Sequence, residues 1–452
     1  MFYDPELTPF EPRQNTGPMA NARNYIEGWP VSVYREGFVV KPRQWGLAPE
    51  QIFLTDPQLI EDVLLTRAEL FRRDRISTEA LSARVNRDSL FFAEGAGWRW
   101  QRRAAASAFR HENLLALVPT FAECAQAQAQ AWRDAPSGEA IDVSLAMSRT
   151  TFAIIERVVL GEATTLDRDR FLAALVSALG SVRWRFVIAL LRLPGFTPFP
   201  GFLRANAAER YLYEETVKAV EARRACPTER RDILGLLLSA RDPETGRVMT
   251  DAELVSNLYT FMIAGHETSA VALAWTLWLV AKDQATQTRL RAEVGAVAGD
   301  RAIGPEEVEK LAFARQTICE SMRLFPPGAA IGREPKEDVR LGPHVVRKGA
   351  PVYVAVWALH RHEKLWDEPA AFDPDRFVPE KAKSRHRCAY LPFGAGPRVC
   401  IGQSFAMLEM IAVLATLVRS FRFATVPGHR VELMPSVTVR PKGGLPLLIE
   451  RV

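Results

Sequence analysis

The sequence predicts a mainly α chain with a smaller β part divided between its two ends. Three observations carry this. From residue 57 to about 325, alanine, leucine, arginine and glutamate dominate and apolar residues recur at spacings of three and four. Short β-branched and aromatic runs are confined to residues 30 to 56 and to the stretch beyond 330. One uninterrupted helical pattern, from Thr250 to about Lys282, is long enough to cross a whole domain.

Taken in order, "VSVYREGFVV" and "IFLT" within residues 30 to 56 read as strands broken by Gly, Pro and Asp. "AQAQAQAW" (125 to 132) is good helix-forming sequence and carries no function. "RLPGFTPFPGF" (192 to 202) reads either as a proline-rich apolar lid between two helices or as a segment that docks on a membrane surface. Thr250-Asp251-Ala252-Glu253 forms a capping box, and no proline follows until Pro305. The helix so started runs about 32 residues, or about 48 Å at 1.5 Å per residue. Beyond 330, "VYVAVWAL" and "VELMPSVTV" read as strands, interrupted by one helix from about 403 to 421. No repeat and no Ser/Gly-rich or charged linker divides the chain, so residues 1–452 read as a single domain.

Of the 452 residues, 48% are hydrophobic and 25% charged, which excludes disordered and fibrous classes. The opening "MFYDPELTPFEPRQNTGPMA" lacks the basic cap and apolar run of a signal peptide. The most apolar stretch, "FVIALLRLPGF" (186 to 196), is broken by Arg192 and Pro194. A cytoplasmic protein without integral membrane contact is expected. Five cysteines, at 124, 226, 319, 388 and 400, are odd in number and form no CxxC, against a disulfide framework or a zinc site. A net charge of +5 without one dominant basic tract argues against a nucleic-acid protein and fits a docking face for an acidic partner.

"FGAGPRVCIG" (393 to 402) surrounds Cys400 with three glycines, a proline and an arginine. By itself it is either a glycine-rich turn around a buried thiol or a loop whose backbone amides approach a thiolate metal ligand. "AGHETSA" (264 to 270) is the oddity of the long helix. Ala264 and Gly265 remove bulk, either for a close helix crossing or for a groove on which something flat lies. Glu267 and Thr268 set an acid beside an alcohol there. "ESMRLFPP" (320 to 327) puts Glu320 and Arg323 on one helix face, and "FDPDRF" (372 to 377) supplies Arg376 to join them. "GWRWQRRAAASAF" (97 to 109) puts Trp98 and Arg102 four apart on another helix, with Phe109 beyond.

In this order the segments resemble the cytochrome P450 family over nearly the whole chain. The F-x-x-G-x-x-x-C-x-G pattern is matched by Phe393, Gly396, Cys400 and Gly402, and E-x-x-R by Glu320 and Arg323. A-G-x-[DE]-T is matched by Ala264, Gly265, Glu267 and Thr268, and W-x-x-x-R by Trp98 and Arg102. The resemblance implies that family's fold, with haem b between the long central helix and the cysteine loop. It implies Cys400 as the thiolate ligand of the iron. Trp98, Arg102, Arg333 (in "GREPKED") and Arg398 would meet the propionates, while Ala264, Gly265, Phe393, Gly394 and Gly402 complete the cofactor contacts. Glu320, Arg323 and Arg376 would have a structural role beneath the haem.

Glu267 and Thr268 would be catalytic, handling protons for activation of O2. Relatives driven by peroxide often lack this pair, so it favours O2 with electrons delivered from NAD(P)H through redox partners. The resemblance covers no fused reductase or membrane anchor, so a separate ferredoxin or similar acidic donor and its reductase are expected. Family positions for the substrate pocket are Phe91, Phe92, Thr260, Ile263, Ala329, Ile331 and Val437, small and apolar enough for a hydrophobic small molecule. Arg75, Arg84 and Arg87 are either a carboxylate anchor or surface arginines. "KAKSRHRC" (381 to 388), with Arg99 and Arg103, is either a solvated charge run or the donor's docking face. The alternative function is a haem-thiolate protein without monooxygenation, a sensor or an isomerase or dehydratase. The acid–alcohol pair speaks for the monooxygenase.

Overall fold

The computed structural model describes residues 2–3, 24–43, 49–82, 86–136, 138–161, 167–227 and 232–452. Chain segments far apart in sequence build its largest sheet. Its strands are β1 (Phe38–Lys41), β2 (Gln51–Leu54), β3 (Phe71–Arg73), β4 (Ile331–Pro335) and β5 (Val352–Val354), in the order β1-β2-β5-β4-β3. β2 and β5 are parallel, with Ile52 beside Val352, and the other pairs are antiparallel. Arg73 stands opposite Arg333 and Arg72 opposite Glu334. Alternation along the strands therefore puts the two arginines together on one face and the Arg72–Glu334 ion pair, at 2.6 Å, on the other.

The local readings need three corrections. Val31–Tyr34 is a 3-10 turn, not a strand. Pro30 sets φ at −59°, its carbonyl accepts from Val33 N, and Val33 and Tyr34 are then driven into the core. "VYVAVWAL" is strand only to Val354 and then turns into a short helix, Val356–Leu359, because a fully buried apolar run has no periodicity to choose between the two states. Two short strands, Phe71–Arg73 and Ile141–Asp142, interrupt the helical half, and Pro379–Ser384 adds a helix to the C-terminal half.

The helices that position the site are α1 (Gly95–Ala106), α2 (Val143–Ile155), α3 (Arg168–Leu190), α4 (Phe202–Ala225), α5 (Asp251–Lys282), α6 (Ala312–Leu324), α7 (Pro379–Ser384) and α8 (Gln403–Ser420). α5 is 32 residues long, and its capping box forms: Thr250 Oγ1 accepts from Glu253 N, and Glu253 Oε2 accepts from Thr250 N at 3.0 Å. It crosses α2 so closely that a Cβ on Gly265 would lie 2.6 Å from Ile155 Cδ1. Trp275 stacks on Phe325 with centroids 4.1 Å apart and donates its indole N–H to Val439 O at 2.8 Å. That bond pins the hairpin of β6 (Glu432–Pro435) and β7 (Val439–Lys442) against the central helix.

Beneath α5, Glu320 and Arg323 are fully buried and joined by two hydrogen bonds of 2.7 Å. Arg323 Nη1 donates also to the carbonyls of His360 and Pro369, and Nη2 to that of Ala371. Glu320 Oε1 accepts from Asp373 N at 2.9 Å, and Arg376 Nε stands 3.4 Å from it. A buried ion pair holds only when such further bonds satisfy it, and here they stitch residues 360–376 under α6.

Among the described residues, two helices are by length and composition apolar enough to cross a bilayer, α3 and α8. The apolar window of α8 is 72% buried inside the protein and that of α3 33%, so α8 is a core helix and α3 a surface one.

Candidate active site

Backbone geometry makes the Cys400 loop. Gly394 and Gly396 sit at φ +74° and +75°, where residues with a Cβ are strained. A Cβ on Gly396 would also come within 1.8 Å of Leu64 O, so only glycine fits. Cys400 N closes the loop by donating to Phe393 O at 3.0 Å. The Cys400 residue is solvent-accessible, yet it lines a deep cavity, so its accessible surface faces inward. Burial pushes its thiol above the ordinary range, while the Gly402 backbone N–H and the Arg102 guanidinium pull the other way by favouring the thiolate. The buried or half-buried Cys124, Cys319 and Cys388 are pushed up to about 11, chiefly by burial, which leaves them inert thiols.

The cavity, about 1250 Å³, runs from Cys400 to α5 and up to α3. All the expected cofactor positions line it: Trp98, Arg102, Ala264, Gly265, Arg333, Phe393, Gly394, Arg398, Cys400 and Gly402. Arg398 lies over the Trp98 ring at 4.8 Å, donates to Ala93 O and pairs with Glu94 at 2.7 Å. Among the described residues, the Arg333 guanidinium donates only to its neighbour's carbonyl, Gly332 O. Burial lowers Arg102, Arg333 and Arg398, with Arg333 brought to about 10. Sequence reasoning missed Arg73, which lines the same wall.

Across the cavity, Thr268 Oγ1 donates back to Ala264 O at 2.7 Å. Glu267 is absent from the lining. It points to the β6–β7 hairpin, where Thr438 Oγ1 donates to it at 2.8 Å and Arg440 pairs with it at 2.9 Å. Gly265 meets α2 on one side of the helix, and Ala264 and Gly265 line the cavity on the other.

Of the substrate positions, Phe91, Thr260, Ala329, Ile331 and Val437 line the cavity. Phe92 and Ile263 do not: Phe92 packs edge-on against Phe91 and Ile263 packs against the core. Of the carboxylate candidates, Arg75 is spent on Glu79 and on Ala189 O, Arg87 is exposed away from the lining, and Arg84 lies outside the described residues. The basic run is partly committed as well. Arg385 stacks on Trp366 at 4.1 Å and donates to Arg376 O, and His386 and Arg387 both pair with Glu61. Arg103 is held by Asp242 and Glu244. Lys381, Lys383 and Arg99 are exposed, with no ion-pair partner among the described residues.

The sequence profile of the cytochrome P450 family matches residues 43–447. Cytokinin hydroxylase of Arabidopsis thaliana is 30% identical over 417 residues, covering 90% of this chain and 80% of that protein. Cyclooctat-9-en-7-ol 5-monooxygenase of Streptomyces melanosporofaciens is 30% identical over 389 residues, covering 84% of this chain and 82% of that one. Among solved structures, the heme domain of cytochrome P450DA superposes with a TM-score of 0.81 at 26% identity, covering 92% of this chain and 90% of that domain. With a cysteine on one wall of the cavity and an acid–alcohol pair at the helix opposite, the chain belongs to the cytochrome P450 family and is one of its monooxygenases.

Proposed function

We propose that this monooxygenase inserts one atom of O2 into a hydrophobic small molecule bound between α5, β4 and the hairpin turn. Its electrons come from a separate acidic, ferredoxin-like donor with an NAD(P)H-dependent reductase. The observation that carries this reading is a cavity in which Cys400 faces the Ala264–Gly265–Thr268 stretch of α5 under a mostly apolar lining.

The residues present fit haem. Cys400 Sγ supplies a thiolate-capable donor at the floor, and Trp98, Arg102, Arg333 and Arg398 are candidate donors for the propionates. A buried guanidinium nitrogen without a partner, Arg398 Nη1, favours an anion at that edge. When bound, haem ligated by a thiolate supplies the chemistry of O2 activation. What this chain adds is position and protons. Phe91, Thr260, Ala329, Ile331 and Val437 exclude water and orient an apolar substrate. Thr268 lines the cavity, and its Oγ1 carries a hydroxyl proton parked on Ala264 O. Glu267, one residue along, is the acid at which a replacement proton enters, and Arg440 and Thr438 hold its carboxylate at the outer side.

For the donor, the exposed Lys381 and Lys383 on α7 and Arg99 on α1 form the cationic face that the reading uses. The test is turnover of the haem-loaded enzyme with ferredoxin, reductase, NADPH and labelled O2 on apolar ligands that shift the haem absorption band. One labelled oxygen per product is expected. Product formed without O2 or NADPH would favour the isomerase or dehydratase reading instead.

A further inference from the structure

The β3–β4 pairing sets Arg73 directly opposite Arg333 on the face that lines the cavity. Like charges directly opposite in an antiparallel pair repel. On the other face the next pair follows the usual rule, with Arg72 and Glu334 of opposite sign. Arg73 makes no hydrogen bond or ion pair among the described residues, and its Nε is buried without a partner. Its guanidinium rests on the Phe91 ring, 3.8 Å from the centroid, which orients the plane but neutralises no charge. A third guanidinium, that of Arg398, lies within electrostatic reach and has Nη1 buried and unpartnered.

The anions nearby are already engaged. Glu94 is paired with Arg398, and Asp74 caps the next helix by accepting from Ser77 N at 2.8 Å. Burial, then Arg333 and Arg398, bring Arg73 down to about 9. Three cations gathered on one wall with two unsatisfied buried nitrogens describe an anion site that protein groups leave open.

We infer that Arg73 is an additional clamp on a haem propionate, closing the Arg333–Arg398 side of the carboxylate beyond the four positions that the family resemblance implies. This rests on the haem-binding reading above. A charge-assisted bond to a carboxylate contributes more than a neutral one and is bidentate with arginine. Arg73 thereby slows haem release, and its positive charge favours the more electron-rich ferrous state.

The test uses the haem-loaded enzyme and its Arg73→Gln and Arg73→Lys variants. Haem transfer to excess apomyoglobin and the ferric/ferrous midpoint potential are measured, and Arg87→Gln serves as a surface control. Arg73→Gln is expected to lose haem about tenfold faster or more, with its potential shifted negative. Arg73→Lys should keep the potential close to wild type but release haem at an intermediate rate, since it retains charge without the fork. The thiolate-type spectrum of the reduced carbon-monoxide complex should be unchanged in all of them. Unchanged release and potential in Arg73→Gln overturns the inference; if binding of a carboxylate-bearing ligand falls at the same time, Arg73 faces the substrate instead. Absence of the thiolate-type spectrum in the wild type would overturn the haem reading itself, a different outcome from either.

Discussion

The floor and the roof of the cavity are built on opposite plans. Below Cys400, Arg323 and Glu320 are fully buried, and both Arg323 Nη atoms as well as Nε have acceptors. Above, α3 and α4 are joined by a proline-rich connection in which Phe196 is 79% exposed, with Leu203 just beyond at 81%. The roof is fastened by a partly buried Arg185–Glu209 pair and by Arg75 reaching Ala189 O. Local stability follows burial and satisfied bonds, so the floor is the fixed half and the roof the half that adapts. The side that carries Cys400 is thus held to one geometry, while the α3–α4 side is less tightly fixed.

The largest effect should come from the ligand. Cys400→Ser is expected to abolish the thiolate-type carbon-monoxide spectrum, while Cys124→Ala, Cys319→Ala and Cys388→Ala keep it. A surviving spectrum in Cys400→Ser would move the floor's function elsewhere. Next is the contrast itself. Arg323→Ala strips the buried Glu320 of its closest cation, leaving Asp373 N and the more distant Arg376, and should cost about 3–5 kcal/mol, whereas Arg185→Ala, on the roof, should cost no more than about half of that. Equal losses in denaturant titrations would erase the distinction between the two halves.

Thr268→Ala removes the hydroxyl at the cavity without touching either wall's packing. Substrate affinity and NADPH consumption should persist, with several-fold more peroxide released per product. Unaltered coupling would take Thr268 out of proton handling. The smallest effect is expected at the outer surface of the floor. Lys381→Glu with Lys383→Glu should slow reduction by a ferredoxin a few-fold at low salt, with the difference vanishing as salt screens the field. Arg385 is left intact there, because its stacking on Trp366 makes it part of the floor's packing.

Which parts of this were readable from sequence follows from the range of the forces involved. The Cys400 loop is local: Gly394 and Gly396 take positive φ and Cys400 N closes on Phe393 O, all within residues 393–400. α5 was legible because a capping box starts it and no proline stops it. Arg73 was not, because its meaning comes from a strand partner on β4 that no short-range pattern announces. Glu267 stood out as a costly buried acid, but its partners Thr438 and Arg440 come from a hairpin placed by the Trp275 bond to Val439 O. The basic run showed its charges and hid that Arg385, His386 and Arg387 were already engaged.

The β3–β4 pairing also has a consequence in time. Arg72 and Glu334 are 262 residues apart in the chain. At roughly 5–20 residues per second, a ribosome needs on the order of 10–50 s to supply the second strand after the first. Until then the wall that carries Arg73 and Arg333 has one edge, and the cysteine loop emerges later still. Contacts of such high sequence separation close late and slowly. The cavity lined by both Arg73 and Cys400 is therefore complete only once residue 400 has been made.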